Sequence, residues 1–437
     1  MLDQPQQTGT PDLPSLVWNN TYGDKGQDMA YSVIKVNDGY IIAGDMGNNA
    51  GLAKTDLDGN QAWRKTYGGD GTDSARSVIA VSDGYVIAGS SSSYEGFGVY
   101  GVYLLKTDLY GDMIWYKTFS YMRDGHLTNA FGRAMVAADD GYVIVGDTNA
   151  DSNGGPDIYL LKTDLNGTMV WNKTFGGDGA EHGSAIVAVP DGYVIAGDTN
   201  SYGNSRTSGV DASDIYLVKT DLNGNPVWNK TFGGKYDENA NSLAAVDYGY
   251  VIAGSTNSHN NSRDYDVYLV KTDLEGNLTW ENHYGKADDD QGRSVVPTGD
   301  GYVVTGYTSS IGNFYKDVYI LKTDLNGSPV WNRTYGGSDM DEGNAIVQTD
   351  YGYAVAGYSC TYGIYTADFC LLKIDTEVKP TPTPMPTAEP TQEPTAVPTV
   401  QAGTLGGTDV VILVVVTIGI IAVVGAAVVA IYLLPKK

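Results

Sequence analysis

The sequence predicts an all-β fold, a seven-bladed β-propeller with four-stranded blades, followed by a C-terminal transmembrane helix. One pattern recurs along the chain, and its fourth copy contains W-N-K-T-F-G-G from Trp171, D-G-Y-V-I-A-G-D-T from Asp191 and D-I-Y-L-V-K-T-D-L-N-G from Asp214. Each copy holds one tryptophan, and the seven tryptophans stand 45 to 57 residues apart: Trp18, Trp63, Trp115, Trp171, Trp228, Trp280 and Trp331. Repeats of about 40 to 50 residues built from short strands are typical of propeller blades.

Each repeat predicts four strands, a to d, which in the second repeat cover residues 77–81, 85–89, 102–107 and 113–119. The a–b link (D-G) and the c–d link (D-L-N-G) carry the Asp, Asn and Gly residues that tolerate the positive φ of tight hairpins. Strands b and c are apolar along almost their whole length, which predicts burial on both faces between neighbouring blades.

The two ends of the repeat array predict how the ring closes. The array begins with a lone strand d at residues 16–22 and finishes with strands a, b and c between about 344 and 375. We therefore expect the first strand to complete the last blade, which removes free sheet edges. The predicted propeller covers residues 15–377, after an N-terminal extension of residues 1–14.

The composition changes after the propeller. Residues 378–408 are rich in Pro and Thr, which predicts an extended stalk of roughly 3 Å per residue. Residues 409–437 include 25 uncharged residues, 410–434, long enough to cross a bilayer as a helix, and then Lys436 and Lys437. The two lysines predict a cytoplasmic C-terminus and an extracellular propeller. A buried core helix is the alternative, but a propeller has no place to bury a helix that is apolar all round.

The N-terminal residues 1–15 have neither a basic start nor an apolar run, so they do not form a signal peptide. Either a signal is absent from this sequence, or the protein is tail-anchored with the propeller in the cytoplasm. The Pro/Thr stalk and eight N-x-S/T sequons favour the first alternative. Asn260 and Asn277 lie in predicted loops and are the glycosylation sites that we expect.

Charge and cysteine content narrow the classes of partner. The formal net charge is −25 and the pI is about 4.3, which excludes nucleic acid as a partner because binding would bring like charges together. An acidic surface also suits divalent cations. The two cysteines, Cys360 and Cys370, flank a predicted loop between two strands. A disulfide and two free buried thiols both remain open.

The string K-T-D-L-N-G-x-x-x-W resembles the tryptophan-docking repeats of quinoprotein-like propellers. The array also resembles repeats in archaeal and bacterial surface proteins that end in a Thr/Pro stalk and a membrane anchor. Over about residues 15–377 the resemblance implies an architecture in which Asp, Gly and Trp of each blade lock neighbouring blades together. A quinone cofactor is not carried over, because the Asp-to-Gly turn is one residue shorter, the blades number seven instead of eight, and no adjacent cysteine pair is present.

Recognisable catalytic motifs are missing from the sequence. It has no G-x-S-x-G elbow, no phosphate-binding loop and no H-E-x-x-H motif, and its four histidines share no short metal-ligand spacing. Six of seven repeats, however, carry a carboxylate twelve residues before the tyrosine of D-G-Y or its equivalent, and the third has Ala130 instead. The six are Asp28, Asp73, Glu181, Glu238, Asp290 and Asp341. We expect them to ring the mouth of the channel, where they either bind Ca²⁺ or accept hydrogen bonds within their own blades.

The predicted b–c loops differ between repeats, whereas the a–b and c–d links are nearly identical. Because the b–c and d–a links open on one face, one face of the propeller is predicted to be variable and rich in Tyr, Ser, Gly and Asn, as recognition surfaces are. Drift in unconstrained loops is the alternative. The aromatic residues that could stack on sugars or anchor a protein are Tyr94, Phe97, Tyr100, Tyr202, Tyr265, Phe314, Tyr315 and Tyr362.

The third repeat breaks the pattern with S-Y-M-R-D-G-H-L-T-N from Ser120, and Arg123, Asp124 and His126 are candidate residues of a special site. The sequence favours a non-enzymatic, membrane-anchored module that binds a protein or glycan through the variable face. An extracellular polysaccharide lyase or hydrolase, a quinone-type oxidoreductase and a structural component of the cell envelope are the alternatives.

Overall fold

The computed structural model describes residues 13–23, 26–94, 98–123, 126–149, 154–203, 212–259, 264–310, 315–360 and 366–376. These residues belong to one compact unit. The remaining residues, including the predicted stalk and transmembrane helix, lie outside this description. Within the described part, no helix is long and apolar enough to span a membrane.

Seven four-stranded antiparallel sheets confirm the predicted blades. The first three blades contain β2 (Asp28–Val36), β3 (Gly39–Met46), β4 (Asn49–Thr55) and β5 (Gln61–Tyr67); β6 (Asp73–Val81), β7 (Gly84–Ser91), β8 (Gly101–Thr107) and β9 (Met113–Phe119); and β12 (Ala130–Ala138), β13 (Gly141–Thr148), β14 (Asp157–Asp164) and β15 (Met169–Phe175). A short hairpin of β10 (Tyr121–Arg123) and β11 (His126–Thr128) joins blades 2 and 3.

Blades 4 to 6 contain β16 (Glu181–Val189), β17 (Gly192–Thr199), β18 (Asp214–Asp221) and β19 (Pro226–Phe232); β20 (Glu238–Val246), β21 (Gly249–Thr256), β22 (Asp266–Thr272) and β23 (Leu278–Tyr284); and β24 (Asp290–Thr298), β25 (Gly301–Thr308), β26 (Asp317–Asp324) and β27 (Pro329–Tyr335). Blade 7 contains β28 (Asp341–Gln348), β29 (Gly352–Ser359), β30 (Asp368–Asp375) and β1 (Ser15–Tyr22). The pairing of β1 with β30 confirms the predicted closure.

The repeated tryptophan packs against the next blade. The Trp63 ring of blade 1 lies against the Tyr85 ring of blade 2, and Trp18 lies against Tyr40 in the same way across the closure. A glycine of the next blade flanks the same indole, since a Cβ added to Gly111 would come within 2.8 Å of Trp63. The one tryptophan per repeat therefore marks the interface between successive blades.

Strand a of every blade contains a β-bulge. The register with strand b shifts between the third and fifth residues of the strand, for example between Ala75 and Ser77 in blade 2. A bulge inserts one extra residue into a strand and re-aims its side chain. The bulged residues are Tyr31, Arg76, Arg133, Ser184, Asn241, Arg293 and Asn344. All seven line the central channel.

Candidate functional site

The central channel encloses a cavity of about 570 Å³ whose walls come from strand a of all seven blades. Besides the bulged residues, its lining includes Met29, Glu342 and Tyr358 near the ends of strands a and b. Cavities of several hundred Å³ are typical of small-molecule sites. The channel is therefore large enough to hold a ligand.

The differences between blades are concentrated beside this channel. In strand a the first and third residues repeat as Asp or Glu and Ala or Gly, with Ala130 as the exception, whereas the second and fourth residues vary. The partners of the second residue on strand b vary as well. These pairs are Met29–Asp45, Ser74–Ser90, Phe131–Asp147, His182–Asp198, Asn239–Ser255, Gln291–Tyr307 and Glu342–Tyr358. Residues that are the same in every blade maintain the fold. Residues that differ between blades and lie side by side near the channel are candidates for binding.

Three arginines at the bulge position form ion pairs with carboxylates at the variable end of the channel. Arg133 Nε lies 2.6 Å from Asp147 Oδ1. Two further pairs are longer, with 3.7 Å between Arg76 Nη2 and Asp45 Oδ2 and 3.7 Å between Arg293 Nη2 and Glu342 Oε2. Lys316 Nζ also lies 2.6 Å from Glu342 Oε1. Sequence reasoning missed these arginines, although their recurrence at the fourth residue of strand a is visible in the repeats.

Blades 3 and 4 bring two carboxylates with opposite pKa shifts to one histidine. Burial acts to raise the pKa of Asp147, but the adjacent His182 and Arg133 hold it below its usual range. Burial raises the pKa of Asp198 to about 6, against the opposing charge of His182. His182 Nδ1 lies 3.4 Å from Asp147 Oδ1, and this carboxylate raises the pKa of the imidazole. The cluster can therefore hold and exchange a proton near neutral pH.

The six predicted calcium ligands occupy a different place from the one expected. Each is the first residue of strand a, is buried, and is not part of the channel lining. Glu181 shows why: its carboxylate accepts hydrogen bonds from Gly177 N at 2.8 Å and from Thr199 Oγ1 at 2.6 Å. In four other blades the backbone N–H four residues before the carboxylate donates the same hydrogen bond; the acceptors are Asp73, Glu238, Asp290 and Asp341.

Asp28 differs from these five by accepting a hydrogen bond from Gly47 N at 2.9 Å. The contacts of all six carboxylates agree with the local structural role that was the alternative to calcium binding. Among the described residues, no group of three or more His, Cys, Asp and Glu side chains is arranged to hold a metal ion. Calcium binding stays a prediction.

The described aromatic residues of the variable face form two groups. Tyr94, Tyr202 and Tyr315 are exposed, and Tyr94 stacks on Tyr116 with 4.4 Å between ring centroids. Tyr202 lies against Tyr216 and donates a hydrogen bond to the carbonyl of Gly176.

The other two described aromatics are more enclosed. Tyr100 packs on Phe131 with 5.2 Å between centroids, and burial raises the pKa of Tyr265 to about 12. Phe97, Phe314 and Tyr362 lie outside the described residues. The structure thus offers three exposed tyrosines on this face as candidate contacts.

The remaining predicted residues lie apart from the channel. His126 is exposed in the β10–β11 hairpin, opposite Arg123 in register, while Asp124 and the side chain of Arg123 lie outside the description. Asn277 is exposed in the turn before β23, and Asn260 lies outside the described residues. These residues are not brought into contact with the channel cluster by any interaction that the structure shows among the described residues.

Both cysteines are free thiols and buried, which agrees with the second of the two alternatives for this pair. They line one pocket of about 270 Å³ beside Asp341. Burial raises the pKa of both thiols, so both are protonated at neutral pH. A protonated, buried thiol is a poor nucleophile.

One histidine pair was not expected from sequence spacing. The rings of His259 and His283 stack with 4.3 Å between centroids and 6° between planes. Burial, with a smaller contribution from His283, lowers the pKa of His259. The pair arises because the end of strand b and strand d of blade 5 meet at the variable face.

Comparison with known proteins supports the propeller fold but assigns no function. No protein-family profile matches the chain. The chain is similar to the regulatory protein FlaEY of Caulobacter vibrioides, with 24% identity over 205 residues that cover 41% of this chain and 21% of that protein. The chain thus spans about a fifth of the length of this curated relative.

Among solved structures, the WD40 domain of Pan2 from Neurospora crassa matches with a TM-score of 0.53 and 12% identity, covering 84% of this chain and 98% of that domain. The GH43 endo-arabinanase from Bacillus licheniformis matches with a TM-score of 0.33 and 15% identity, covering 58% of this chain and 96% of that enzyme. The Pan2 match shows the propeller fold alone, and the arabinanase match supports no conclusion. The class of protein is therefore a seven-bladed β-propeller.

Proposed function

We propose that this chain is a cell-surface binding module, tethered by its Pro/Thr-rich stalk and the apolar segment 410–434, that recognises a protein or glycan through its variable face. The sequons and the two C-terminal lysines support an extracellular propeller. The resemblance to membrane-anchored surface proteins with propeller repeats supports the same location.

The contrast between the two faces carries this proposal. At the a–b turns, five blades repeat one ion pair between a strand-c lysine and the turn aspartate, with N–O distances of 2.5 to 2.8 Å; the pairs are Lys54–Asp38, Lys106–Asp83, Lys162–Asp140, Lys219–Asp191 and Lys322–Asp300. On the opposite face, the b–c loops differ in length and sequence from blade to blade. Rigid scaffolds commonly place recognition residues on such variable ends.

The exposed tyrosines indicate the chemistry of recognition. A tyrosine ring can stack on the apolar face of a sugar or fill a pocket on a protein, and its hydroxyl group supplies a hydrogen bond. The weak similarity to a regulatory protein is compatible with a protein partner. The proposal therefore includes both classes of ligand and leaves their discrimination to experiment.

An extracellular polysaccharide hydrolase is the second candidate, and one observation favours it. Asp147 contacts His182, Asp198 is its partner on strand b, and the environments of the two carboxylates shift their pKa values in opposite directions. Two carboxyl groups with separated pKa values are the arrangement that general acid–base hydrolysis of glycosides requires.

The test is a glycan array and a pull-down with candidate proteins, using the purified full-length chain with and without Ca²⁺. The triple variant Tyr94→Ala, Tyr202→Ala, Tyr315→Ala is expected to lose at least tenfold in affinity. The matched control is Tyr110→Ala, Tyr248→Ala, because both tyrosines are exposed in turns of the uniform face. Equal losses in both variants, or none in the triple variant, would contradict recognition through the variable face.

Catalysis has its own readout. If the wild type releases reducing sugar and Asp198→Asn does not, the protein is a hydrolase and the proposal of a binding module is wrong. Binding without any turnover supports the module.

A further inference from the structure

Three of the eight arginines in this acidic chain occupy one repeat position, the bulged fourth residue of strand a. Arg76 and Arg133 are in the adjacent blades 2 and 3, and Arg293 is in blade 6, across the ring. All three line the channel cavity. With a formal net charge of −25, such a concentration of guanidinium groups at the axis does not follow from composition.

In all three ion pairs the arginine side chain is more exposed than the carboxylate side chain. The exposed fractions of the side chains are 38% for Arg76 against 23% for Asp45, and 43% for Arg133 against 5% for Asp147. Arg293 is 32% exposed, whereas its partner Glu342 is 6% exposed. Asp45 and Asp147 are not part of the cavity lining, so a molecule that enters the channel meets the guanidinium groups of Arg76 and Arg133 before their carboxylates, whereas Glu342 lines the cavity beside Arg293. The buried Asp147 holds the Arg133 guanidinium in place through its 2.6 Å contact, as supporting groups do in preorganised sites.

Aromatic rings fix two of the arginines further. The guanidinium carbon of Arg76 lies 3.8 Å from the centroid of the Tyr31 ring, and that of Arg293 lies 5.5 Å from the Tyr307 centroid. Lys316 Nζ lies 4.0 Å from the same Tyr307 centroid and adds a cation beside Arg293. Stacked arginines lose little conformational entropy when they form a further hydrogen bond.

Donor capacity remains on these side chains. The 3.7 Å separations from Arg76 to Asp45 and from Arg293 to Glu342 exceed hydrogen-bond length. Arg293 Nε is buried, and among the described residues no protein atom accepts a hydrogen bond from it. Arg76 and Arg293 therefore keep guanidinium N–H donors at the channel wall for a bound ligand.

The rest of the wall is suited to hydroxyl groups. Asn241 and Asn344, at the same bulge position, donate their amide N–H groups to the carbonyls of Gly292 and Ala30 in the next blades. With the amide nitrogen held in this way, the amide oxygen can accept a hydrogen bond from another donor. Ser184 and Tyr31 are the other neutral residues at the bulge position.

We propose that the channel binds a hydroxylated organic anion, a sugar acid or the acidic end of a polysaccharide, whose carboxylate is recognised by Arg76, Arg133 and Arg293. Arginine binds a carboxylate through two parallel N–H···O bonds, which neutral sugars cannot accept in the same way. The inference stands on the channel residues and is independent of what the loop tyrosines bind.

The test is isothermal titration of the purified full-length chain with D-galacturonate, tri-galacturonate, galactose and sodium sulfate at one ionic strength. We expect binding of one or both uronates and none of galactose. Arg133→Gln and Arg293→Gln are expected to weaken the binding at least tenfold, with partial recovery in Arg293→Lys. The controls Arg64→Gln and Arg333→Gln change arginines on outer strands and should leave the affinity unchanged.

The remaining outcomes are decisive. Binding of the trimer alone identifies a polysaccharide end as the source, and equal binding of the monomer identifies a free sugar acid. Equal affinity for galactose, binding of sulfate alone, absence of uronate binding, or unchanged affinity in a folded Arg293→Gln variant would each overturn the proposal. Thermal melting of every variant distinguishes loss of the site from loss of the fold.

Discussion

Trp63 of blade 1 packs its indole against Tyr85 of blade 2, with 6.2 Å between ring centroids and 51° between planes. The same arrangement joins Trp228 to Tyr250 and Trp280 to Tyr302, at 6.3 and 5.9 Å. A tilted aromatic pair contributes about 0.5 to 1.5 kcal/mol beyond the area that it buries. The repeated D-G-Y and W-N-K-T strings therefore meet across successive blades.

Trp63→Ala should lower the free energy of unfolding by about 3 kcal/mol, because the indole both fills the junction and covers Gly111. Denaturant unfolding followed by circular dichroism measures the change. Tyr110→Ala is the control, since this ring is 74% exposed and its removal should cost less than about 0.5 kcal/mol. A Trp63 variant as stable as this control would show that the junction does not depend on the indole.

Gly111→Ala should cost more than Gly98→Ala. Both glycines have similar positive φ values, 78° and 76°, so both substitutions carry the same backbone penalty of about 1 kcal/mol. A Cβ at Gly111 would meet Trp63 at 2.8 Å, whereas nothing lies within 4 Å of a Cβ at Gly98. The difference in melting temperature therefore isolates the contact with Trp63, and equal costs would disprove it.

Glu181→Ala should destabilise blade 4 by about 2 to 4 kcal/mol, because Gly177 N, Thr199 Oγ1 and Ser201 N would lose a buried acceptor. If the carboxylates act only within their blades, EDTA and Ca²⁺ should leave the melting temperature of the wild type unchanged. A rise of several degrees with Ca²⁺, lost in Glu181→Ala, would establish the calcium site instead.

Asp198→Asn should make stability less dependent on pH. Burial raises the pKa of Asp198 to about 6 in the folded protein, above the usual value of 3.8, so folding favours its protonated form. This contribution is fully present below about pH 4 and is lost as pH rises through 6. The variant should match the wild type at pH 4 and exceed it by about 3 kcal/mol at pH 8. The exposed Asp139→Asn provides the control, and parallel pH profiles for Asp198→Asn and the wild type would refute the shift.

The fold could be predicted from sequence because each repeat must bury the same residues. The spacing of Trp18 to Trp331 gave the number of blades, and the lone first strand gave the closure. Strand a proved longer than predicted, beginning at Asp73 instead of Ser77 in blade 2. The strand therefore includes the carboxylate that was expected to precede it.

The binding residues could be predicted only in part. The loop tyrosines could be recognised as variable residues. The position of the arginines in the channel wall could not, because a β-bulge changes the direction of one side chain without a signature in the alternation of polar and apolar residues. Glu181 and its equivalents were expected to ring the channel mouth at the start of strand a, and they lie instead in buried positions beside the glycine link. His259 and His283 lie 24 residues apart, and only the fold of blade 5 brings their rings together.

The last strand before the C-terminal segment, β30, is held between β29 and β1 by two ladders. A force directed along the axis of β30 would load both ladders in shear, so that many hydrogen bonds would have to break together. An outermost strand would be held against the same force by one ladder only. Because one of the two ladders is formed by β1, the resistance of β30 to such a force depends on residues at the other end of the propeller sequence.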